Sequence, residues 1–125
     1  GRVLGWEPSV TFQQLVRMVP IAEEVARHAI ALVRATRPRD GSAPDFVKKY
    51  VNFGASVRGA QNLVLSAKAR ALMRGRYHVT FEDIRTLMPP VLRHRILLNF
   101  QAESDRLTPD DILARLLDAV QPRRS

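Results

Sequence analysis

Apolar and polar positions along the chain follow helical spacing, interrupted at short intervals. Ile21, Val25, Ala29, Leu32 and Thr36 recur at steps of three and four, the stripe of an amphipathic helix. They predict a helix from about Pro20 to Ala35, opened by a proline at its first position. Ala60, Leu63, Val64, Ala67, Ala71 and Leu72 make the buried side of a second long helix, Val57 to Arg74. Ser56 is its expected cap and Gly75 its expected stop. Ile112, Leu113, Leu116 and Leu117 line a third, from about Pro109 to Val120. Shorter helices are predicted at Phe12 to Val19, Asp45 to Tyr50 and Phe81 to about Met88.

The helix starts are well marked. Thr11 with Gln14, Thr80 with Asp83, and Thr108 with Asp111 each place a capping hydroxyl three residues before a side chain that can reach back, the layout of a capping box. An apolar residue precedes each threonine (Val10, Val79, Leu107) and another follows five positions on (Leu15, Ile84, Ile112), as a hydrophobic staple requires. The stretch Arg37 to Pro44 reads as a loop, and Asn52 to Ala55 as a connection around Gly54. Pro89-Pro90 is expected to end or kink its helix, with a short restart through Arg95. Ile96 to Phe100 is ambiguous between helix and a brief strand. The fold class expected is all-α, a small helical bundle with at most a minor two-stranded element.

Composition supports one domain. The chain has 125 residues, 46% of them apolar and 26% charged, enough apolar material for a core. Cysteine is absent, which excludes disulfides, thiolate catalysis and cysteine metal sites. No apolar run approaches the length of a membrane span and no signal peptide is evident, so the expected location is cytoplasmic. The formal charge of +8 is concentrated. Between Lys48 and Arg95 stand ten Lys and Arg against only Glu82 and Asp83. Such a stretch suits nucleic acid, a nucleotide or an acidic protein surface, or is simply a solvated basic face.

No self-contained active site emerges. The three histidines (28, 78 and 94) lack the company of a metal site, and each reads as a buried or half-buried structural residue. The serines have no partnered base, and no phosphate loop, zinc or calcium motif occurs. Phe46, Tyr50 and Phe53 read as core residues rather than as a base-stacking platform. Arg58 is the informative position. It falls at the second position of its helix, where a cation faces the positive end of the dipole at a cost of roughly 0.3–1 kcal/mol. Gly54, Ala55, Ser56 and Gly59 add little bulk around that end. A bound phosphate would make the placement favourable.

Three segments carry a specific resemblance. Tyr50-Val51-Asn52-Phe53-Gly54-Ala55-Ser56-Val57-Arg58-Gly59-Ala60-Gln61, Gly75-Arg76-Tyr77-His78-Val79-Thr80-Phe81-Glu82-Asp83-Ile84 and Val91-Leu92-Arg93-His94-Arg95-Ile96 are similar to the lid domain of MoxR-family AAA+ ATPases. Val33 to Pro38 resembles the end of that domain's first long helix. The likeness covers about Ser9 to Val120. It implies that residues 1–8 are a linker from an N-terminal ATPase core, 9–120 the helical lid and 121–125 a flexible tail.

It also implies that Arg58 is the sensor 2 arginine, reaching the terminal phosphates of ATP, that Gly54, Ala55 and Ser56 shape its approach, and that Ile21, with its neighbours Val19 and Pro20, borders the base. By the same resemblance ATP and Mg2+ are cofactors of the full-length protein and none binds the fragment tightly. The implied partners are its own core, neighbouring subunits of a hexameric ring and a von Willebrand factor A domain protein. The activity implied is chaperone-like remodelling driven by ATP hydrolysis. Val57 stands where the family usually has proline. The Walker A lysine, Walker B carboxylate, sensor 1 residue and arginine finger, which the family places in the preceding core, have no counterparts in this chain. A basic helical nucleic-acid-binding module is the alternative reading.

Overall fold

A computed structural model describes residues 11–122. Val10, residues 1–8 and the last three residues of the expected tail lie outside the described residues. The elements in chain order are α1 (Phe12–Met18), α2 (Glu23–Ala35), α3 (Asp45–Tyr50), β1 (Val51–Phe53), α4 (Val57–Met73), α5 (Phe81–Leu92), β2 (Leu97–Leu98), α6 (Phe100–Ser104) and α7 (Pro109–Ala119). The fold is all-α, with one minor two-stranded antiparallel ribbon in which Val51 faces Leu98 and Phe53 faces Leu97.

Local chemistry starts and stops the helices. All three threonine capping boxes form, at α1, α5 and α7. Each satisfies two backbone donors reciprocally. At the end of α4, Gly75 takes a left-handed φ of 77°. There the Arg76 N–H donates to the Ala71 carbonyl (2.8 Å) and the Gly75 N–H to that of Leu72 (3.0 Å), a Schellman closure. Arg106 does the same after α6 with φ 61°, and its neighbour Leu107 donates to Ala102 at 2.9 Å.

The structure departs from two local expectations. The first long helix begins at Glu23 rather than Pro20. The more informative departure is α5, which runs unbroken through Pro89 and Pro90 to Leu92. Ile84, Met88 and Leu92 sit four apart on one stripe and are fully buried. Keeping that stripe in the core outweighs the two backbone hydrogen bonds the prolines remove. The ambiguous segment after Arg95 resolves into both possibilities, a brief strand and then α6.

The core is built from α2, α4, α5 and α7. Leu32, Leu63, Ile84, Met88, Leu92 and Leu113 are among its fully buried side chains. Ala67 and Ala71 on α4 are also fully buried, which lets the neighbouring helices approach closely. One carboxylate is in the interior. Asp83 accepts from both terminal nitrogens of Arg76 (2.7 Å each), from Arg70 (2.5 Å) and from the Thr80 N–H (2.9 Å). Burial alone would push its pKa up. The hydrogen bonds from Arg76, Thr80 and Arg70 outweigh this and hold the carboxyl well below the usual carboxylate range. Asp83 therefore ties the end of α4 and the loop after it to the start of α5.

Candidate functional site

The start of α4 is set by a crossing of backbones. Thr36, at the C-cap of α2, is fully buried. Its hydroxyl donates to the Val33 carbonyl (2.5 Å) and accepts from the Ala55 N–H (2.9 Å). This single side chain pins the approach to α4 against the end of α2. Gly54 sits at the crossing itself. An ideal Cβ there would lie 2.6 Å from the Thr36 carbonyl carbon and 2.7 Å from the Arg37 Cα, and closer still to the Thr36 oxygen. Only glycine allows such an approach.

The first turn of α4 differs from the other helix starts. Ser56 occupies the N-cap position as expected, but its side chain makes no capping bond, and the first turn holds no acidic residue. Among the described helices, only α4 lacks both a side-chain cap and a first-turn acid. The Ser56 carbonyl accepts from Gly59 and Ala60, while the N–H groups of Val57 and Arg58 have no partner among the described residues. Arg58 is exposed and makes no ion pair or hydrogen bond with any described residue. An uncapped helix start with a free guanidinium at its second position presents donors and positive charge on one side.

Gly59 extends this geometry. A Cβ there would meet the Ala55 Cβ at 3.1 Å, the Leu92 Cδ2 at 3.3 Å and the Arg95 Cδ at 3.7 Å. The aliphatic stem of Arg95 thus lies across the first turn of α4, and Arg95 has no acidic partner among the described residues either. Gly54, Ala55, Ser56 and Arg58 are therefore brought together. Ile21 is not in this group. It is half-buried in the α1–α2 connection, at the other end of α2 from Thr36 and so about 20 Å of helix away.

The +8 stretch is largely committed inside the domain. Arg70 and Arg76 are spent on Asp83. Arg85 donates to the Val120 carbonyl (2.8 Å) and to that of Leu117, closing the end of α7. Lys49 lies over the Tyr50 ring, Lys68 reaches the Arg17 carbonyl, and Arg93 pairs with Asp110. That leaves Lys48, Arg58, Arg74 and Arg95 without an ion pair or side-chain hydrogen bond among the described residues. Of the three histidines expected to be buried or half-buried, His28 is buried, whereas His78 and His94 are exposed. His28 packs edge-on against Phe81 (5.6 Å between centroids) and lies 3.2 Å from the Arg85 guanidinium. Burial first and the Arg85 charge second lower its pKa to about 4. Among the described residues no group of three or more His, Asp or Glu could hold a metal ion, and no described helix is long and apolar enough to cross a membrane.

Phe53 corrects the sequence reading. Tyr50 is buried and Phe46 half-buried, but Phe53 is 64% exposed, because no layer among the described residues packs over that face of its strand. Thr36 and Asp83 were legible only as a helix-face position and a capping acid. Their long-range partners carry no local signal.

The family model for the AAA lid domain matches residues 45–116. The chain is similar to Chaperone MoxR1 of Mycobacterium tuberculosis, 36% identical over 93 residues, which is 74% of this chain and 25% of that protein. It is 37% identical over 72 residues to Protein MoxR of Paracoccus denitrificans, covering 58% of this chain and 20% of that one. The crystal structure of a Cytophaga hutchinsonii protein proposed to be an ATPase superposes with a TM-score of 0.82 at 34% identity, over 88% of this chain and 33% of that chain. The chain thus spans a third or less of the length of each.

Proposed function

The chain belongs to the AAA lid domain family, in its MoxR branch, and from that premise we propose that Arg58 is the sensor 2 arginine of an ATP-hydrolysing machine. The observation that carries the reading is the start of α4, where an exposed cation with no partner among the described residues sits on an uncapped helix end whose first turn holds no acid. The arrangement costs stability without a ligand and is compensated by a phosphate, whose oxygens accept from a guanidinium with several donors. Arg58 would contact the terminal phosphates across the cleft between lid and core, and stabilise charge that develops as the γ-phosphoryl group leaves. Thr36 and Gly54 would hold the helix start at a fixed distance from that cleft. Ile21, one helix length away, suits the base end of the nucleotide.

Mg2+ does not fit the residues of this site. A hard dication needs several oxygen ligands, and the first turn of α4 offers no carboxylate. In this reading residues 1–8 link to a core, 9–120 form the lid and 121–125 the tail, with the core and the next subunits of a hexameric, cytoplasmic ring as partners. A von Willebrand factor A domain protein and chaperone-like remodelling belong to the same proposal.

The test is ATP turnover by the intact protein. Arg58→Ala should lower kcat on the order of a hundredfold, the usual consequence of losing a charge-stabilising donor, while Arg58→Lys retains part of the rate. Unchanged turnover in Arg58→Ala would refute the role.

A further inference from the structure

The loop after α2 and strand β1 enclose a hollow of about 270 Å³ lined by Arg37, Pro38, Arg39, Asn52, Phe53 and Gly54. A second shallow hollow of about 360 Å³ shares Arg37 and Arg39 and adds Arg34 and Asp40. The two form one trough. Its floor is firm, because Gly54 is pressed against the Thr36 carbonyl and the Arg37 Cα, and the Thr36–Ala55 hydrogen bond holds that crossing closed.

The charges in the trough are unbalanced. Asp40 is the one acid lining it, and it is already engaged: it accepts from the Ser42 N–H (2.9 Å), from the Ser42 hydroxyl (2.8 Å) and from Arg34 (3.0 Å). These bonds hold its carboxyl down to about 2. Arg37 and Arg39 are exposed and have no side-chain partner among the described residues. Beside them Phe53 is 64% exposed, and Leu97, its cross-strand neighbour, 56%. Two free guanidiniums and the Asn52 amide thus stand next to an uncovered apolar pair.

We infer that this trough docks a short acidic segment of a partner polypeptide, with carboxylates on Arg37 and Arg39 and an apolar side chain on Phe53 and Leu97. The guanidinium fork matches a carboxylate in geometry as well as in charge. The apolar pair rewards a neighbouring aliphatic or aromatic residue of the same segment. A nucleic-acid strand fits less well. It needs a basic groove tracking about four or more phosphates, whereas most of the basic residues between Lys48 and Arg95 are tied to partners within the domain. The trough adjoins the approach to α4 through Gly54, but the proposed contacts on Arg37, Arg39, Phe53 and Leu97 do not involve Arg58.

The test is fluorescence anisotropy of the intact protein with a labelled peptide of alternating Glu and Leu. Parallel probes are the same peptide with Gln for Glu, and an oligothymidylate. The Glu peptide should bind, with an affinity that falls as salt rises. Arg39→Ala and Phe53→Ser should each weaken it roughly tenfold or more, and the Gln peptide should bind correspondingly less. Both substituted side chains are exposed, so thermal melts should match the unsubstituted protein. Arg58→Ala should leave peptide binding unchanged. The inference is overturned by no binding of the Glu peptide, by tighter binding of the oligothymidylate, by indifference to Arg39→Ala and Phe53→Ser, or by dependence on Arg58 instead.

Discussion

Replacing Gly54 with alanine drives a methyl group into the backbone of another segment. The new carbon would lie 2.6 Å from the Thr36 carbonyl carbon and 2.7 Å from the Arg37 Cα, where ordinary contact begins at 3.4 Å. No side chain can swing aside, so the two backbones must part by at least about 0.7–0.8 Å, and by more at the Thr36 carbonyl oxygen. That separation would stretch the Ala55 N–H to Thr36 hydroxyl bond from 2.9 Å beyond hydrogen-bonding range. Overpacking costs about 1–3 kcal/mol, and the stranded buried donor about 1–3 kcal/mol more. A loss near 4 kcal/mol is a large part of a domain's total stability. Urea unfolding followed by far-UV circular dichroism should show the midpoint falling by roughly 2 M, given a slope of ~2 kcal/mol per M. The control is Gly41→Ala, where a Cβ meets nothing within 4 Å and φ is not left-handed. There the change should be neutral or slightly stabilising. If Gly54→Ala unfolds with the unsubstituted chain, or Gly41→Ala falls as far, the crossing does not set the start of α4.

Asp83→Ala should cost about 3 kcal/mol in the same urea assay, since it strands Arg70 and Arg76 and removes a capping acceptor; a loss below about 1 kcal/mol would contradict the hub. His28 has a folded pKa of about 4 against 6.5 unfolded, so between those values the unfolded chain binds more protons. Stability should be full above pH 6.5 and decline as pH falls toward 4, by about 3 kcal/mol. His28→Gln should flatten that slope between pH 6.5 and 5, and a flat profile in the unsubstituted chain would count against the assignment. Arg106 holds a left-handed φ of 61° in the closure of α6, so Arg106→Gly should raise the thermal midpoint, gaining roughly 0.5–1 kcal/mol.

What the chain announces by itself is local. Capping boxes at Thr11, Thr80 and Thr108, the stop at Gly75 and the apolar stripes of α2, α4 and α7 each depend on residues within a few positions of one another. For the same reason the position of Arg58 in the first turn of its helix, and the segments that resemble a MoxR lid, could be read before any fold was known. Tertiary structure decided whatever depends on partners far apart in sequence. Thr36 meets Ala55 nineteen residues on, and Arg85 meets Leu117 and His28 at separations of 32 and 57. No periodicity encodes those pairs. Such pairs decide which cations are consumed, and the burial of Ile84, Met88 and Leu92 against other helices decides that the Pro89-Pro90 step does not break α5. Phe53 shows the same limit from the other side: an aromatic residue in an apolar run is core only if another layer covers it, and here none of the described residues does.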